Sequence, residues 1–221
     1  MLVKDRMTPN PHTTTPDTGA GDTWMIMIKH NLVRLPVVDK EKLVGIVTRK
    51  DFGLRPDLNL RGTSVATRYF TDEQSQALNK VKVRDIIPIG QNLITIAPDA
   101  FIEQAAKVMR EGKVSGLPVV DDHGRLLGII TQSDINDAFL DILAINKKGV
   151  RISMRIKNSP DTLIKIGEIL SKHNVNFQNL VTMEIPNQDP LLVCRINCSN
   201  YKPVIEDLNK AGFRVVTVTV R

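Results

Sequence analysis

The pattern of apolar and polar positions predicts the same order of elements twice in the first two thirds of the chain. Two short apolar runs, 35–38 and 43–47, flank a charged turn, and the runs 117–120 and 126–130 flank a second polar turn. Short apolar runs around such turns are typical of β-hairpins. An amphipathic helix is predicted before each hairpin, and another helix after it.

The helix before the second hairpin has the clearer apolar stripe: Phe101, Ala105, Val108, Met109. Asp99 is placed to cap its N-terminus. The corresponding first helix contains two glycines, but Trp24, Met27 and Ile28 keep one face apolar. We interpret Trp24 with Met25 and Met27 as core in preference to a stacking surface. Pro56 should end the helix after the first hairpin early. Residues 55–71 form a polar stretch between the repeats, followed by a short predicted helix over 72–80.

The two halves also repeat each other residue by residue. Residues 34–51 read RLPVVDKEKLVGIVTRKD, and residues 116–134 read GLPVVDDHGRLLGIITQSD. Pro36 corresponds to Pro118 at an offset of 82, and three later pairs correspond at an offset of 83. These pairs are Gly45 with Gly128, Thr48 with Thr131, and Asp51 with Asp134. A repeat of this length indicates a structural unit used twice.

The repeated Gly-x-x-Thr-x-x-Asp motif falls where a strand runs into a helix. Thr48 and Thr131 place a hydroxyl beside the free N–H groups of a helix N-terminus, which suit phosphate. Asp51 and Asp134, one turn on, could accept hydrogen bonds from two vicinal ribose hydroxyls. The glycine would let a ligand or a neighbouring backbone approach closely. The same Thr-x-x-Asp spacing also fits a helix capping box. Two copies, each after a Leu-Pro-Val-Val-Asp run, favour the ligand site.

Charged residues distinguish the first copy of the motif from the second. Arg49 and Lys50 follow the first threonine, whereas Gln132 and Ser133 follow the second. Phosphate-rich ligands should prefer the first site, because charge-assisted hydrogen bonds are stronger. A basic helix start exposed to solvent is an equal alternative. Arg34 stands where the second repeat has a glycine, and it could add charge to the first site or partly fill it.

Beyond 146–149 the pattern changes to a βαββαβ order, typical of a split ferredoxin-like unit of about 70 residues. Its predicted elements are a strand from 150, a helix opened by Pro160, a hairpin of 175–185 and 190–197, a helix over 201–211 stopped at Gly212, and a strand over 215–220. The stripe of the first helix should comprise Leu163, Ile166, Ile169 and Leu170.

Composition narrows the function classes. The 221 residues are 42% hydrophobic, which supports folded cores, and no apolar stretch is long enough for a membrane span or signal region. We therefore expect a soluble, cytoplasmic protein. The net charge of +6 is spread out and lacks interleaved aromatics, so small anionic ligands fit better than nucleic acid. No histidine stands at metal-ligand spacing from Cys194 or Cys198, and we expect no metal. Strand alternation makes Cys194 an inward-facing core thiol.

Residues 1–145 resemble a tandem pair of cystathionine-β-synthase (CBS) domains, also called a Bateman module, on the strength of the Leu-Pro-Val-Val-Asp strand and the Gly-x-x-Thr-x-x-Asp end. The resemblance implies that the cleft between the repeats binds an adenosine nucleotide such as AMP, ADP, ATP, S-adenosylmethionine or cyclic di-AMP. It also implies that threonine and aspartate hold phosphate and ribose, while backbone near the proline strand meets adenine. The residues it assigns are Thr48, Asp51 and Pro36 with Thr131, Asp134 and Pro118, and the charge pattern adds Arg49 to the predicted site.

The last 72 residues resemble an ACT domain, an amino-acid-sensing module. That family usually has Pro-Gly in the first strand–helix loop, whereas this chain has Ser159-Pro160-Asp161. An acidic side chain there would crowd and repel an amino acid's carboxylate. Domain order and size resemble the acetoin-utilization protein B family. The expected fold is thus α/β (α+β): CBS repeats of β-α-β-β-α order at 1–60 and 83–146, a linker with a short helix at 61–82, and an ACT-like domain at 147–221.

These features predict a regulatory protein that binds an adenine nucleotide, without catalysis. Occupancy would shift the packing between the repeats and the C-terminal unit, and an open sheet edge predicts a homodimer. An enzyme is a weaker hypothesis, since the sequence has no P-loop, no Gly-x-Ser-x-Gly and no metal cluster. A third possibility is an adaptor for a partner protein or for transcription, although we find no helix-turn-helix.

Overall fold

The protein is described here by a computed structural model, which covers residues 1–53, 79–88, 90–157 and 159–221. The chain divides into two compact units, Met1–Ile135 and Asn136–Arg221. The predicted helix over 72–80 lies outside the described residues except for its last two, which form a turn. The polar stretch 55–71, with its helix-ending proline, also lies outside them. The domain limits expected from the sequence remain predictions.

The first unit has the predicted helix, hairpin and helix twice. The first copy comprises α1 (Ala20–Lys29), β2 (Arg34–Asp39), β3 (Lys42–Thr48) and α2 (Arg49–Gly53), preceded by β1 (Thr8–Pro9). The second comprises α3 (Val83–Ile86), α4 (Ile102–Glu111), β4 (Gly116–Val120), β5 (Leu126–Thr131) and α5 (Gln132–Ile142). The prediction that Asp99 caps α4 is wrong. The N-cap is Phe101, whose backbone N–H donates to Gln104 Oε1 at 2.8 Å, and Asp99 lies in the preceding turn.

Each repeat is completed by the leading segment of the other. In the second repeat, β1 pairs with β5, so that Thr8 lies opposite Ile129. In the first repeat, a side chain takes the corresponding place. The Gln91 amide accepts from the Ile46 N–H and donates to the Ile46 carbonyl, both at 2.8 Å. The two hairpins are therefore held together by segments exchanged across the pseudo-symmetric pair.

The core of the first repeat lies between α1, its hairpin and α3. Its buried members are Ala20, Trp24, Met27, Leu35, Val37, Val47, Phe52, Val83 and Ile86. The rings of Trp24 and Phe52 pack with centroids 5.0 Å apart. This arrangement confirms the prediction that Trp24 and Met27 belong to the core, whereas the same prediction for Met25 is wrong, because that side chain is 40% exposed.

The second unit has the predicted βαββαβ order. Its elements are β6 (Val150–Arg155), α6 (Asp161–Lys172), β7 (Phe177–Ile185), β8 (Gln188–Ile196), α7 (Lys202–Lys210) and β9 (Arg214–Val220), with sheet order β7-β8-β6-β9. Cys194 is a core thiol as predicted, and burial raises its pKa to about 11. Leu163 was expected in the apolar stripe of α6 but is 58% exposed, because the buried face is turned toward Ile166 and Leu170.

Gly167 in α6 offers a stabilising substitution. A Cβ built there meets nothing within 4 Å, and a glycine inside a helix is less favourable than alanine. We expect Gly167→Ala to raise the free energy of unfolding by about 0.5–1 kcal/mol, measured by urea denaturation. The control is Gly212→Ala, which should destabilise because Gly212 ends α7 at a φ of +90°. A loss of stability in Gly167→Ala would contradict the assigned helix surface.

Candidate functional site

The Thr-x-x-Asp ends of the two repeats have almost the same geometry. Asp51 Oδ2 accepts from the Thr48 backbone N–H at 2.6 Å and from the Thr48 hydroxyl at 2.8 Å. Asp134 Oδ2 accepts the same two bonds from Thr131, both at 2.7 Å. The capping role considered from the sequence is therefore present. The other carboxylate oxygen of each aspartate has no partner among the described residues, so a second role remains open to it.

The motif glycines make room for a neighbouring segment of the protein. A Cβ at Gly128 would lie 2.6 Å from Met7 Sδ and 2.9 Å from the Thr8 carbonyl oxygen. A Cβ at Gly45 would lie 2.8 Å from the Ile87 Cδ1 methyl. The sequence left open whether these glycines make room for a ligand or for a neighbouring chain segment. In the structure they make room for a chain segment.

Two clefts open between the repeats in the first unit. Cleft A has a volume of about 550 Å³ and is lined by Thr8, Asn10, Pro11, His12, Asn31, Leu32, Val33, Arg34, Pro36, Ser115, Ile129, Thr131, Gln132 and Ser133. Cleft B has a volume of about 300 Å³ and is lined by Val33, Arg34, Ile46, Thr48, Arg49, Lys50, Gln91, Asn92, Leu93, Ile94, Lys113, Val114, Ser115 and Gly116. Most positions correspond at the repeat offset, so the clefts are pseudo-symmetric copies.

The residues predicted for the site are divided between the two clefts. Pro36 and Thr131, from different repeats, line cleft A, while Thr48 and Arg49 line cleft B. The other three predicted residues are not on the cleft walls: Asp51, Asp134, Pro118. The two aspartates are half-buried beside their threonines, and the proline is buried in β4.

Arg34 lies between the two clefts and lines both of them. Its guanidinium donates a hydrogen bond to Ser115 Oγ, and partial burial lowers the pKa of Arg34. The corresponding residue, Gly116, leaves the space that the guanidinium occupies, since a Cβ there would collide with Arg34 Nη1. Arg34 therefore fills the space beside Gly116 and also supplies positive charge to both clefts.

Cleft B is the more cationic of the two. Lys50 and Lys113 line it in addition to Arg34 and Arg49, and none of its described lining residues carries a carboxylate. The Arg49 guanidinium is oriented by its own repeat, because Nη2 donates to the Met27 carbonyl at the end of α1 at 3.3 Å. The alternative drawn from the sequence, a basic helix start exposed to solvent, does not hold for Arg49, which is half-buried. It does hold for Lys50, which is exposed.

His12 and Gln91 are among the wall residues that sequence reasoning missed. The repeat offset places Gln91 opposite Pro9, which could have pointed to its pairing role, but no periodicity marks His12. The His12 ring in cleft A stacks on His30 with centroids 3.9 Å apart and an interplanar angle of 29°. Desolvation, followed by the charges of His12 and Lys29, lowers the pKa of His30.

This histidine stack predicts a pH-dependent stability of the first unit. Because folding lowers the pKa of His30, the unfolded chain takes up its proton first as the pH falls through about 6.5. The stability is present above that pH and is lost as the pH falls toward the folded-state pKa. We expect a lower urea midpoint, followed by Trp24 fluorescence, at about pH 5.5 than at about pH 7.5. His30→Gln should reduce this dependence, and an unchanged dependence in that variant would contradict the assignment.

Comparisons with known proteins agree with this architecture. The CBS domain family model matches residues 3–52 and 83–141. A CBS domain-containing protein of Dictyostelium discoideum is 32% identical over 145 residues, which are 65% of this chain and 94% of that protein. The chain belongs to the CBS-domain proteins, and its first unit is a tandem CBS pair.

Two solved structures share the fold of this pair. CBSX2 in complex with AMP is 27% identical with a TM-score of 0.50, covering 66% of this chain and 98% of that one. The protein assigned to acetoin utilization (AcuB) from Vibrio cholerae is 26% identical with a TM-score of 0.51, covering 66% and 95%. Within the described ranges, no helix has the length and apolar character needed to cross a bilayer. The same ranges contain no cluster of three or more His, Cys, Asp or Glu side chains suited to a metal ion.

Proposed function

We propose that the CBS pair binds an adenine nucleotide between its repeats and that the protein is a cytoplasmic regulator without catalytic activity. One observation carries the proposal: each cleft has a motif threonine on its wall with a half-buried aspartate behind it, and one carboxylate oxygen of that aspartate has no partner among the described residues. The AMP complex of CBSX2 supports the choice of ligand class.

The cleft residues suit an adenosine ligand. Ligand pockets commonly span about 300–1,000 Å³, and both clefts fall in that range. In cleft A, Pro36 and Ile129 supply apolar walls for a base, and Thr131 supplies a hydroxyl next to the first turn of α5. The unused Asp134 oxygen would accept from ribose hydroxyls once the side chain turns toward the ligand. We propose that Thr48 and Asp51 serve cleft B in the same way.

The charge difference between the clefts supports different ligands in each. In cleft B the cations Arg49, Lys50 and Lys113 favour di- and triphosphates, because charge-assisted hydrogen bonds to phosphate are strong. In cleft A the lining cation is Arg34, and His12 also lines the cleft. This smaller positive charge favours a monophosphate or a nucleoside carrying little negative charge. Arg34 borders both sites, so filling one cleft should alter the affinity of the other.

The test is a ligand panel on the full chain. AMP, ATP, S-adenosylmethionine and cyclic di-AMP are added separately, with GMP as the matched base control. Unfolding of the first unit is followed through Trp24, the single tryptophan of the chain. A ligand that binds the folded state raises the unfolding midpoint. We expect at least one adenine ligand to raise it more than GMP does, and no shift with any adenine ligand at millimolar concentration would overturn the proposal.

For the second unit we propose an ACT-like module that transmits the state of the CBS pair. The βαββαβ order and the sheet order β7-β8-β6-β9 support it. Asp161 begins α6, at the position where an amino acid's carboxylate would need an N–H cradle. We therefore propose that this loop does not bind an amino acid as related modules do.

We further propose that the protein is a homodimer. The outer strand β9 presents exposed apolar side chains along an edge that can pair with a second copy: Val216, Val218, Val220. Sedimentation should give the mass of two chains at micromolar concentration. A single-chain mass there would contradict the dimer and leave nucleotide binding untouched.

A further inference from the structure

A row of polar side chains crosses the sheet of the second unit on the face opposite its core thiol. Strand register places Asn179, Arg195, Arg151 and Thr219 side by side across β7, β8, β6 and β9. The adjacent residues in β8, Cys194 and Ile196, belong to the core on the other face. Arg195 therefore projects from the sheet on the side away from the thiol.

Arg195 is mostly buried, and it has no counter-charge among the described residues. The residue is 8% exposed. Within the described part of the chain its guanidinium has neither a hydrogen-bond acceptor nor a carboxylate partner, and its nitrogens keep some contact with solvent. Its charged neighbours are Arg151 and Arg221, which add positive charge. Arg151 is itself held in the row, because Nη1 donates to Ser153 Oγ at 2.8 Å. Desolvation, followed by these two charges, lowers the pKa of Arg195.

Like charges held close together repel one another, and an anion that supplies acceptor atoms relieves this repulsion. Arginine presents a planar fork of donors that matches phosphate and carboxylate oxygens. Asn179 helps to define the edge of the site, since Nδ2 donates to the Ile142 carbonyl at 2.8 Å and fixes the amide. Arg151 is half-buried and Arg221 is exposed, which leaves a solvent approach to the row.

We infer that the sheet face around Arg195, with Arg151 and Arg221, is a binding site for a small oxyanion, a molecule bearing phosphate or carboxylate. This site is separate in chain position from the nucleotide clefts, and it does not depend on their function. It also differs from the Ser159–Asp161 loop, where the acidic side chain disfavours an anion.

The probes are inorganic phosphate and succinate, each titrated by calorimetry into the full chain in chloride buffer of fixed ionic strength. We expect saturable binding of at least one probe, and the better probe distinguishes phosphate from carboxylate ligands. Arg195→Met should abolish it. The matched control is Arg155→Met. Arg155 lies outside the row, four residues further along β6 than Arg151, and donates to the Asp189 carbonyl at 2.7 Å, so this variant should bind like the parent.

Further variants distinguish anion binding at this site from binding in the clefts, and loss of binding from misfolding. In anion-free buffer, Arg195→Met should unfold at a higher midpoint than the parent, because it removes the repulsion of Arg195 by Arg151 and Arg221. Arg151→Met changes a half-buried position and should weaken binding roughly tenfold. In Arg34→Met, which alters the clefts, the part of the binding that depends on Arg195 should persist. Saturable binding that survives in Arg195→Met, or no saturable binding of either probe to the parent, would overturn the inference.

Discussion

Replacing Gly128 by valine is expected to destabilise the first unit by about 1–3 kcal/mol, the usual range for overpacking a tightly packed site. A Cβ at this position already lies 2.9 Å from the Thr8 carbonyl oxygen, which is backbone and held by pairing with β5. Relief therefore requires β1 to move away from the hairpin that it completes. The loss can be measured by urea denaturation followed through Trp24, which is buried in the first unit.

Gly45→Val is the matched control for this prediction. It changes the same motif position in the first repeat, but its close neighbour is the terminal methyl of Ile87, which can rotate away. We expect a smaller loss of stability than in Gly128→Val. Equal losses, or a larger one at Gly45, would show that the exchanged β1 segment does not fix the packing at Gly128.

Replacing Asp134 by alanine is expected to weaken adenine-nucleotide binding by about 1–3 kcal/mol, which corresponds to roughly 5- to 150-fold. The substitution removes the carboxylate oxygen proposed to accept from ribose. It also removes the acceptor that holds the Thr131 N–H and hydroxyl, both at 2.7 Å. The start of α5 should therefore lose about 0.5–2 kcal/mol of stability as well, which is the range for losing a cap.

Asp134→Asn separates these two effects. An amide oxygen can still accept from Thr131, so the stability should stay close to that of the parent. The negative charge that strengthens a bond from a ribose hydroxyl is lost, so binding should still weaken. Nucleotide affinity is measured by calorimetry and stability by urea denaturation. If Asp134→Asn binds like the parent while Asp134→Ala binds poorly, the aspartate acts through the cap and the ribose role is wrong.

Much of this fold could be predicted because it is encoded locally. The hairpins follow from short apolar runs around polar turns, and the turn residues Lys40 and Glu41 adopt positive φ, as tight hairpin turns require. The repeat offset predicted that the second half would copy the first. The threonine–aspartate pairs were visible as a motif, and their capping bonds follow from the spacing alone.

The remaining features depend on contacts between distant residues, which periodicity does not encode. The repeat offset aligns Gln91 with Pro9 of β1, but it does not show that a side-chain amide would bond to both the N–H and the carbonyl of Ile46 as a strand would. The misplaced Asp99 cap shows a related difficulty, because a helix start is fixed by competing local bonds, and here Gln104 provides the better one. Strand alternation placed Cys194 inward and therefore Arg195 outward, but it could not show that Arg195 would be buried.

Nucleotide binding between the repeats is tested by calorimetric titration of the adenine ligand that most raises the unfolding midpoint, into the full chain and into the Asp51→Ala/Asp134→Ala double variant. We expect saturable binding to the parent and weak or no binding to the variant, with Trp24 fluorescence confirming that the first unit is folded. Binding of unchanged affinity to a folded double variant would contradict the assignment of the clefts.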